Sequence, residues 1–279
     1  MLTLGLAACN GNSETMIRSA ENLAKKSKKK SFPVPVVKSG IEGFYTGSFT
    51  ATEYDENKEV IDNNITICID SVRKEKIYGH SVVAGNNRPF KGSYKKEGKN
   101  WEVTASEPGQ EKWDGSFYFV INAKEKMLKG TWKSNKKNIA VTGRSYKLEQ
   151  RPFRYNPSLE LPDELIGETI YDSFNADNEA ESITEDALRL NASKKLLAPK
   201  DVENMYKGDL ELVRNAIYAR HGYSFKNLRM RTLFDNYVKW YMPVCTNVTA
   251  YLTEIEVKNI ELIKRYESHA DKYYDAFGR

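Results

Sequence analysis

Long apolar runs are missing from this chain. No stretch of its 279 residues approaches the roughly 18 apolar residues that cross a bilayer, so a transmembrane helix is excluded. Cysteine is scarce, at three residues (Cys9, Cys68 and Cys245), too few for a disulfide scaffold or a structural zinc site. The chain also lacks a Gly-rich phosphate loop, a His-Glu-x-x-His pair and a paired-carboxylate motif, so no cofactor, no metal and no catalytic set is expected. Neither charge sign dominates, with 43 Lys+Arg against 38 Asp+Glu, and an aromatic fraction of 11% excludes wholesale disorder. The length suits one or two domains, each able to bury a core.

What is present begins with an address. Leu2-Thr3-Leu4-Gly5-Leu6 followed by Ala7-Ala8-Cys9 reads as the end of an apolar export segment, small residues and a cysteine. Leu6-Ala7-Ala8-Cys9 resembles a bacterial lipobox, which implies a signal remnant over 1–9 and lipidation of Cys9. Residues 10–40 carry seven basic residues against Glu14 and Glu21, a composition that predicts a solvated, mobile tether. Lys25–Lys30 can act as a soluble spacer or be drawn to an anionic membrane face, at about 1 kcal/mol per Lys. An exported chain gives such a run no nucleic acid to meet.

From Gly43 the pattern turns to a period of two, broken every 10 to 15 residues by turn chemistry such as Glu97-Gly98-Lys99-Asn100 and Glu107-Pro108-Gly109. Eight strands are predicted: 43–52, 64–71, 76–84, 90–96, 101–106, 116–122, 127–134 and 139–148. Ile65, Ile67 and Ile69 alternate with Thr66, Cys68 and Asp70, the mark of a strand with one buried face. Gly47, Gly92, Gly115, Gly130 and Gly143 each lie near an aromatic, as at the corners of a small barrel. The expected fold is an antiparallel up-and-down β-barrel over 41–155, similar in architecture to lipocalin-like or avidin-like barrels, with an open sandwich as the alternative. Such a barrel holds one small ligand or fills with side chains. His80 reads as a structural residue, and Arg88 and Lys91 as a polar loop without recognisable chemistry.

Residues 156–193 carry ten acidic residues and one basic, and read as a connector. Asp172–Glu181 lacks the spacing of a calcium loop. Beyond it the period becomes helical, making the chain α+β: the barrel, then a small α-helical module over 194–279. Leu210, Val213, Ala216 and Ile217 mark one helix, with Arg220 and His221 in its last turn and Gly222 suited to the left-handed residue that ends it. Met230, Leu233, Phe234 and Tyr237 mark a second. Thr253-Glu254-Ile255-Glu256 is a capping box opening a third. Tyr273, Tyr274 and Phe277 are expected to dock on the body of the protein.

Arg214-Asn215-Ala216-Ile217-Tyr218-Ala219-Arg220-His221-Gly222, with Phe225, Phe234, Trp240-Tyr241, Leu252-Thr253, Glu256 and Asn259-Ile260-Glu261-Leu262-Ile263, is similar to the YARHG domain. The whole layout resembles lipoproteins of Bacteroides-type bacteria. The resemblance implies an extracytoplasmic module of the cell envelope, lipid-anchored on the outer membrane or periplasmic face, that binds there. Arg214, Tyr218, Arg220, His221, Trp240 and Tyr241 then form a recognition patch, because guanidinium forks hold anions and aromatic rings stack on sugars or peptides. The bland alternative is structural: Arg220, His221 and Gly222 end a helix, while Arg214 and Asn215 tie to Glu256 and Asn259. The function expected is non-catalytic binding of a surface polymer, peptide or small ligand. The alternatives are a hydrolase using His221, with or without Cys245 as nucleophile, and a scaffold docking a partner on Trp240-Tyr241. Cys68 and Cys245 are either an interdomain disulfide or two buried thiols.

Overall fold

The computed structural model describes residues 32–174 and 180–273; Cys9, the basic run, Tyr274 and Phe277 lie outside them. Eight antiparallel strands close into a barrel in chain order: β1 (Gly43–Tyr54), β2 (Asn63–Arg73), β3 (Lys76–Val83), β4 (Asn86–Glu97), β5 (Asn100–Ser106), β6 (Gly115–Asn122), β7 (Met127–Ser134) and β8 (Val141–Gln150). β8 returns to pair with β1, Tyr45 opposite Gln150 and Phe49 opposite Tyr146, so the barrel sheet closes on itself. Two-residue turns set the register: Lys74-Glu75 and Ala84-Gly85 each have both residues at positive φ, whose twist matches the flanking strands. Gly92 and Gly130 are required by crowding, since a Cβ there would lie 2.1 Å from the Thr104 and Tyr118 carbonyl oxygens respectively.

Alternation turns one side of every strand inward. Ile65, Ile67, Ile69, Ile77, Ile121, Leu128 and Leu148 fill the middle, with Tyr45, Phe90 and Phe117 among them. The barrel is therefore packed through most of its depth, each buried aliphatic side chain contributing roughly 1.5–3 kcal/mol. β2 departs from its predicted half-burial. Its outward residues Thr66 and Cys68 are also buried, Thr66 bonded to Thr46 and Cys68 packed beneath Phe153, Met242 and Val244. There Asn64 donates its backbone N–H to Asp235 Oδ2 (2.9 Å) and its side-chain amide to the Asp235 carbonyl (3.0 Å). Phe44, Cys68, Phe153, Met242 and Val244 form a small apolar seam between barrel and helices.

The helical region contains α1 (Glu185–Arg189), α2 (Lys207–Arg220), α3 (Leu228–Tyr237) and α4 (Glu254–Tyr273). α2 ends where expected, at Gly222 with φ +75°. α4 opens on the predicted reciprocal cap, the Thr253 N–H donating to Glu256 Oε2 (2.9 Å) and the Glu256 N–H to Thr253 Oγ1 (3.2 Å).

Two stretches depart from expectation. The described residues of the acidic segment 156–193, read as a connector, contribute to the helical core: Leu161, Leu165, Ile183, Ala187 and Leu190 enter the same core as Leu210, Ile217, Phe234 and Ile263. A strand pair, β9 (Thr169–Phe174) with β10 (Ala180–Ser182), lies within it. The last residues of the expected tether are also engaged, because the Phe32 ring packs 5.4 Å from those of Phe153 and Tyr251 and caps the seam. In both, a few apolar side chains outweigh a polar average.

Candidate functional site

The pentapeptide Tyr218-Ala219-Arg220-His221-Gly222 lies at the end of α2, and the chain folds its charged members inward. His221 is only 3% exposed and Glu256 is fully buried. Their side chains meet at 2.8 Å between Nε2 and Oε2. The Tyr155 ring stacks on the imidazole at 4.2 Å, and its hydroxyl donates to Glu256 Oε1 at 3.0 Å. Burial pushes the Glu256 carboxyl toward higher pKa, but the His221 hydrogen bond and charge and the Thr253 amide outweigh it and hold the group below the usual range. The same burial and the neighbouring Glu256 raise the Tyr155 hydroxyl well above its ordinary value.

Arg220, 2% exposed, donates its Nε to the Leu159 carbonyl at 2.8 Å and sits 6.0 Å from the Trp240 ring centre. Trp240 donates its Nε1 to the Glu160 carbonyl at 2.7 Å, and Tyr241 its hydroxyl to the Tyr223 carbonyl at 2.7 Å. Arg220 and His221 thus hold distant segments rather than the carbonyls of their own helix. Asn259 acts similarly, accepting from the Leu197 N–H (2.9 Å) and donating to the Ala192 and Lys195 carbonyls (2.7 and 2.8 Å). The expected tie of α2 to α4 exists with other partners. Arg214 pairs with Glu267 at 2.9 Å, and Asn215 donates to the Glu211 carbonyl within its own helix. Cys245 lies beside this knot as a free buried thiol, with burial raising its pKa to about 11.

Of the six residues expected in a recognition patch, then, Arg220, His221, Trp240 and Tyr241 are committed to internal contacts. Arg214 and Tyr218 instead line a surface groove of about 740 Å³ between α2, α4 and the 246–252 loop, together with Tyr223, Lys226 and Lys264.

A second cavity, of about 310 Å³, opens at the barrel end nearest α3. Its floor and walls are Phe49, Phe117, Trp132 and Ile65, and Trp113, 44% exposed, stands at its rim. Polar groups converge on it. Glu107 accepts from Ser81 Oγ (3.2 Å), the Gly115 N–H (2.7 Å) and Trp132 Nε1 (3.3 Å), yet burial outweighs these donors and raises its pKa. Arg88 is neutralised by Asp114 at 3.2 Å. Arg144 donates to the Phe49 and Ile61 carbonyls (2.7 and 3.0 Å) with its guanidinium 5.1 Å from the Phe49 ring centre. Arg231 reaches in from α3. Its buried Nε and the buried Oδ1 of Asn63 both lack a hydrogen-bond partner among the described residues.

Residues 186–268 match the family model described as the YARHG domain. The match begins within α1, ahead of residue 194, in agreement with the folded state of the acidic segment. The chain is therefore an eight-stranded antiparallel barrel followed by a helical region carrying a YARHG domain. Such a domain suggests an extracytoplasmic, binding-type module. No curated protein and no solved structure matches the chain. Among the described residues, no helix is long and apolar enough to cross a membrane.

The mouth residues escaped the sequence reading, although a signal for three of them was there. Arg88 shares the inward parity of Phe90, Glu107 that of Val103 and Ala105, and Arg144 that of Tyr146 and Leu148. Arg88, taken as part of a polar loop, belongs to β4. Charged residues on the buried side of three strands, all at one end, mark a polar mouth over an apolar barrel. Arg231 gives no such signal, because it arrives from another region of the chain.

Proposed function

We propose that this protein is an extracytoplasmic, non-catalytic binding protein, held at a membrane by lipid on Cys9. Its barrel mouth takes a small molecule with an apolar or aromatic body and an anionic group. The observation that carries this reading is that Asn63 Oδ1 and Arg231 Nε, buried and without a hydrogen-bond partner among the described residues, lie on the lining of a cavity that also holds Phe49, Trp113, Phe117 and Trp132. Buried polar atoms normally find partners, so those left over mark where a polar group of a ligand fits. Arg144 and Arg231 supply the positive charge, and Phe49, Trp113 and Trp132 the apolar contact. The hydrolase alternative lacks support in geometry, because His221 is enclosed and its Nε2 is engaged by Glu256. A partner docking on Trp240-Tyr241 meets the same obstacle, Tyr241 being 3% exposed. The groove holding Arg214 and Tyr218 supports a second reading, in which an extended anionic polymer or peptide lies along the YARHG domain.

The test is titration of the purified protein with 8-anilinonaphthalene-1-sulfonate, an aromatic sulfonate. Saturable binding of one molecule, weakened about tenfold or more by Arg231→Ala or Trp113→Ala with the circular dichroism unchanged, is expected. Binding that ignores both substitutions overturns the mouth assignment; if Arg214→Ala weakens it instead, the groove is the site. Mass spectrometry of the protein from its native host tests the anchor separately: an unacylated Cys9 refutes it.

A further inference from the structure

On the outer wall of the barrel, away from the mouth, three donor groups of different classes come together. Cys68 and Asp70 sit two residues apart on β2, and His80 is the cross-strand partner of Cys68 on β3. The period of two gives Cys68 and Asp70 the same face, and direct opposition brings the His80 Cβ to about 5 Å from that of Cys68. A β-bulge finishes the arrangement. The register jumps between Ile69 and Ser71, leaving Asp70 as the extra, unpaired residue. A bulge re-aims its side chain, and here the carboxylate turns between the other two. Cys68 Sγ lies 3.3 Å from Asp70 Oδ1, and His80 Nδ1 lies 3.0 Å from Asp70 Oδ2. One ligand atom from each of the three residues falls within 4.8 Å of the others.

We propose that Cys68, Asp70 and His80 form a binding site for a single divalent transition-metal ion, zinc by the character of the donors. A thiolate, an imidazole and a carboxylate are the three side-chain ligands that zinc accepts. With bonds of about 2.0–2.3 Å, tetrahedral zinc needs its ligand atoms roughly 3–4 Å apart. Hard cations such as calcium and magnesium are disfavoured, because they want six or more oxygens and find one carboxylate. The sulfur side is closed by the seam of Phe44, Phe153, Met242 and Val244. The other side is open: the Asp70 and His80 side chains are 44% and 24% exposed. The ion thus has an entry path and a fourth position for water. Binding breaks the Cys68 S–H bond; sulfur keeps the electron pair and donates it to the ion, and the proton passes to solvent. The site sits on the same face of β2 that meets the helices, so occupation also stabilises the fold against unfolding.

The experiment is titration of the full metal-free chain with ZnCl₂ by calorimetry, and with CoCl₂ by absorption, for the wild type, Cys68→Ser, His80→Gln, Asp70→Asn and Cys245→Ser. One ion per chain is expected, with a thiolate-to-cobalt charge-transfer band that Cys68→Ser loses and Cys245→Ser keeps. His80→Gln and Asp70→Asn, changes at partly exposed positions that leave the sulfur seam intact, should weaken zinc about tenfold or more. The wild type and Cys245→Ser should also gain thermal stability on adding zinc, and the three ligand variants less. Absence of binding to the wild type overturns the proposal. So does binding that survives His80→Gln undiminished, or a cobalt spectrum without a Cys68-dependent band.

Discussion

Replacing Glu256 by Ala removes the acceptor from three donors at once: His221 Nε2 at 2.8 Å, the Tyr155 hydroxyl at 3.0 Å and the Thr253 N–H at 2.9 Å. Leaving a buried donor without a partner costs roughly 1–3 kcal/mol, and breaking a buried ion pair from one side about 3–5 kcal/mol. These estimates overlap, because the His221 contact belongs to both and the Thr253 amide is only partly buried, so the expected loss is about 4 kcal/mol. With a denaturant slope of about 2 kcal/mol per molar urea, the unfolding midpoint of the helical signal should fall by about 2 M. Glu256→Gln keeps an acceptor oxygen and loses the charge, so it should fall by roughly half as much. pH supplies a control. The Glu256 carboxyl is held below its unfolded value, so its contribution is full above the ordinary carboxyl range and lost as pH falls through the folded pKa. Glu256→Gln should lack that acid-side loss. The assay is equilibrium urea unfolding followed by circular dichroism, at neutral and acidic pH. A Glu256→Ala protein unfolding within about 0.5 kcal/mol of the wild type would refute the reasoning, and would mean that the His221–Glu256 pair serves something other than holding α2 to α4.

Two further substitutions probe the seat of the helices on the barrel. Gly222→Ala places a Cβ at φ +75°, 2.3 Å from Val244 Cγ2 and 2.8 Å from the Phe153 ring. Thermal unfolding should register a loss of about 2–3 kcal/mol, and an unchanged melting temperature would contradict the packing described. Asp235 is half-buried against β2, and desolvation outweighs the Asn64 N–H and Arg231 to raise its pKa to about 7. Between roughly pH 4 and pH 7 the folded state therefore holds a proton that the unfolded state has released, and this group's contribution falls as pH rises through that window. Asp235→Asn should remove that slope, so the variant should gain on the wild type by up to about 2–3 kcal/mol between pH 5 and pH 8. Parallel urea curves at both pH values check it, and an identical pH dependence in the two proteins would refute it.

Much of this architecture is local and was legible residue by residue. Alternation in Ile65-Thr66-Ile67-Cys68-Ile69 sets strand β2, the turn residues between strands set the hairpins, and an up-and-down barrel follows because each strand pairs with its neighbour in sequence. Helix ends were equally plain, since Gly222 and the Thr253–Glu256 cap act within a few residues of themselves. The domain signature was legible too, as an ordered set of spaced residues. What each signature residue does was not. Whether Arg220 points at a ligand or at the Leu159 carbonyl, and whether His221 faces solvent or Glu256, depends on segments tens of residues away. The acidic average of 156–193 hid the few apolar side chains that matter, because burial is decided by side chains one at a time and composition is not. The outer face of β2 carried polar letters and became partly interior because Asp235 of α3 and the seam of Phe153, Met242 and Val244 settled on it. The mouth cavity needs Arg231 from one region and Arg144 from another. The Cys68, Asp70 and His80 cluster needs a register and a bulge. Local patterning determined the elements and their order. Convergence of side chains from separate elements, which alone creates sites, was decided by tertiary packing, since periodicity reports which face is buried and never what lies opposite.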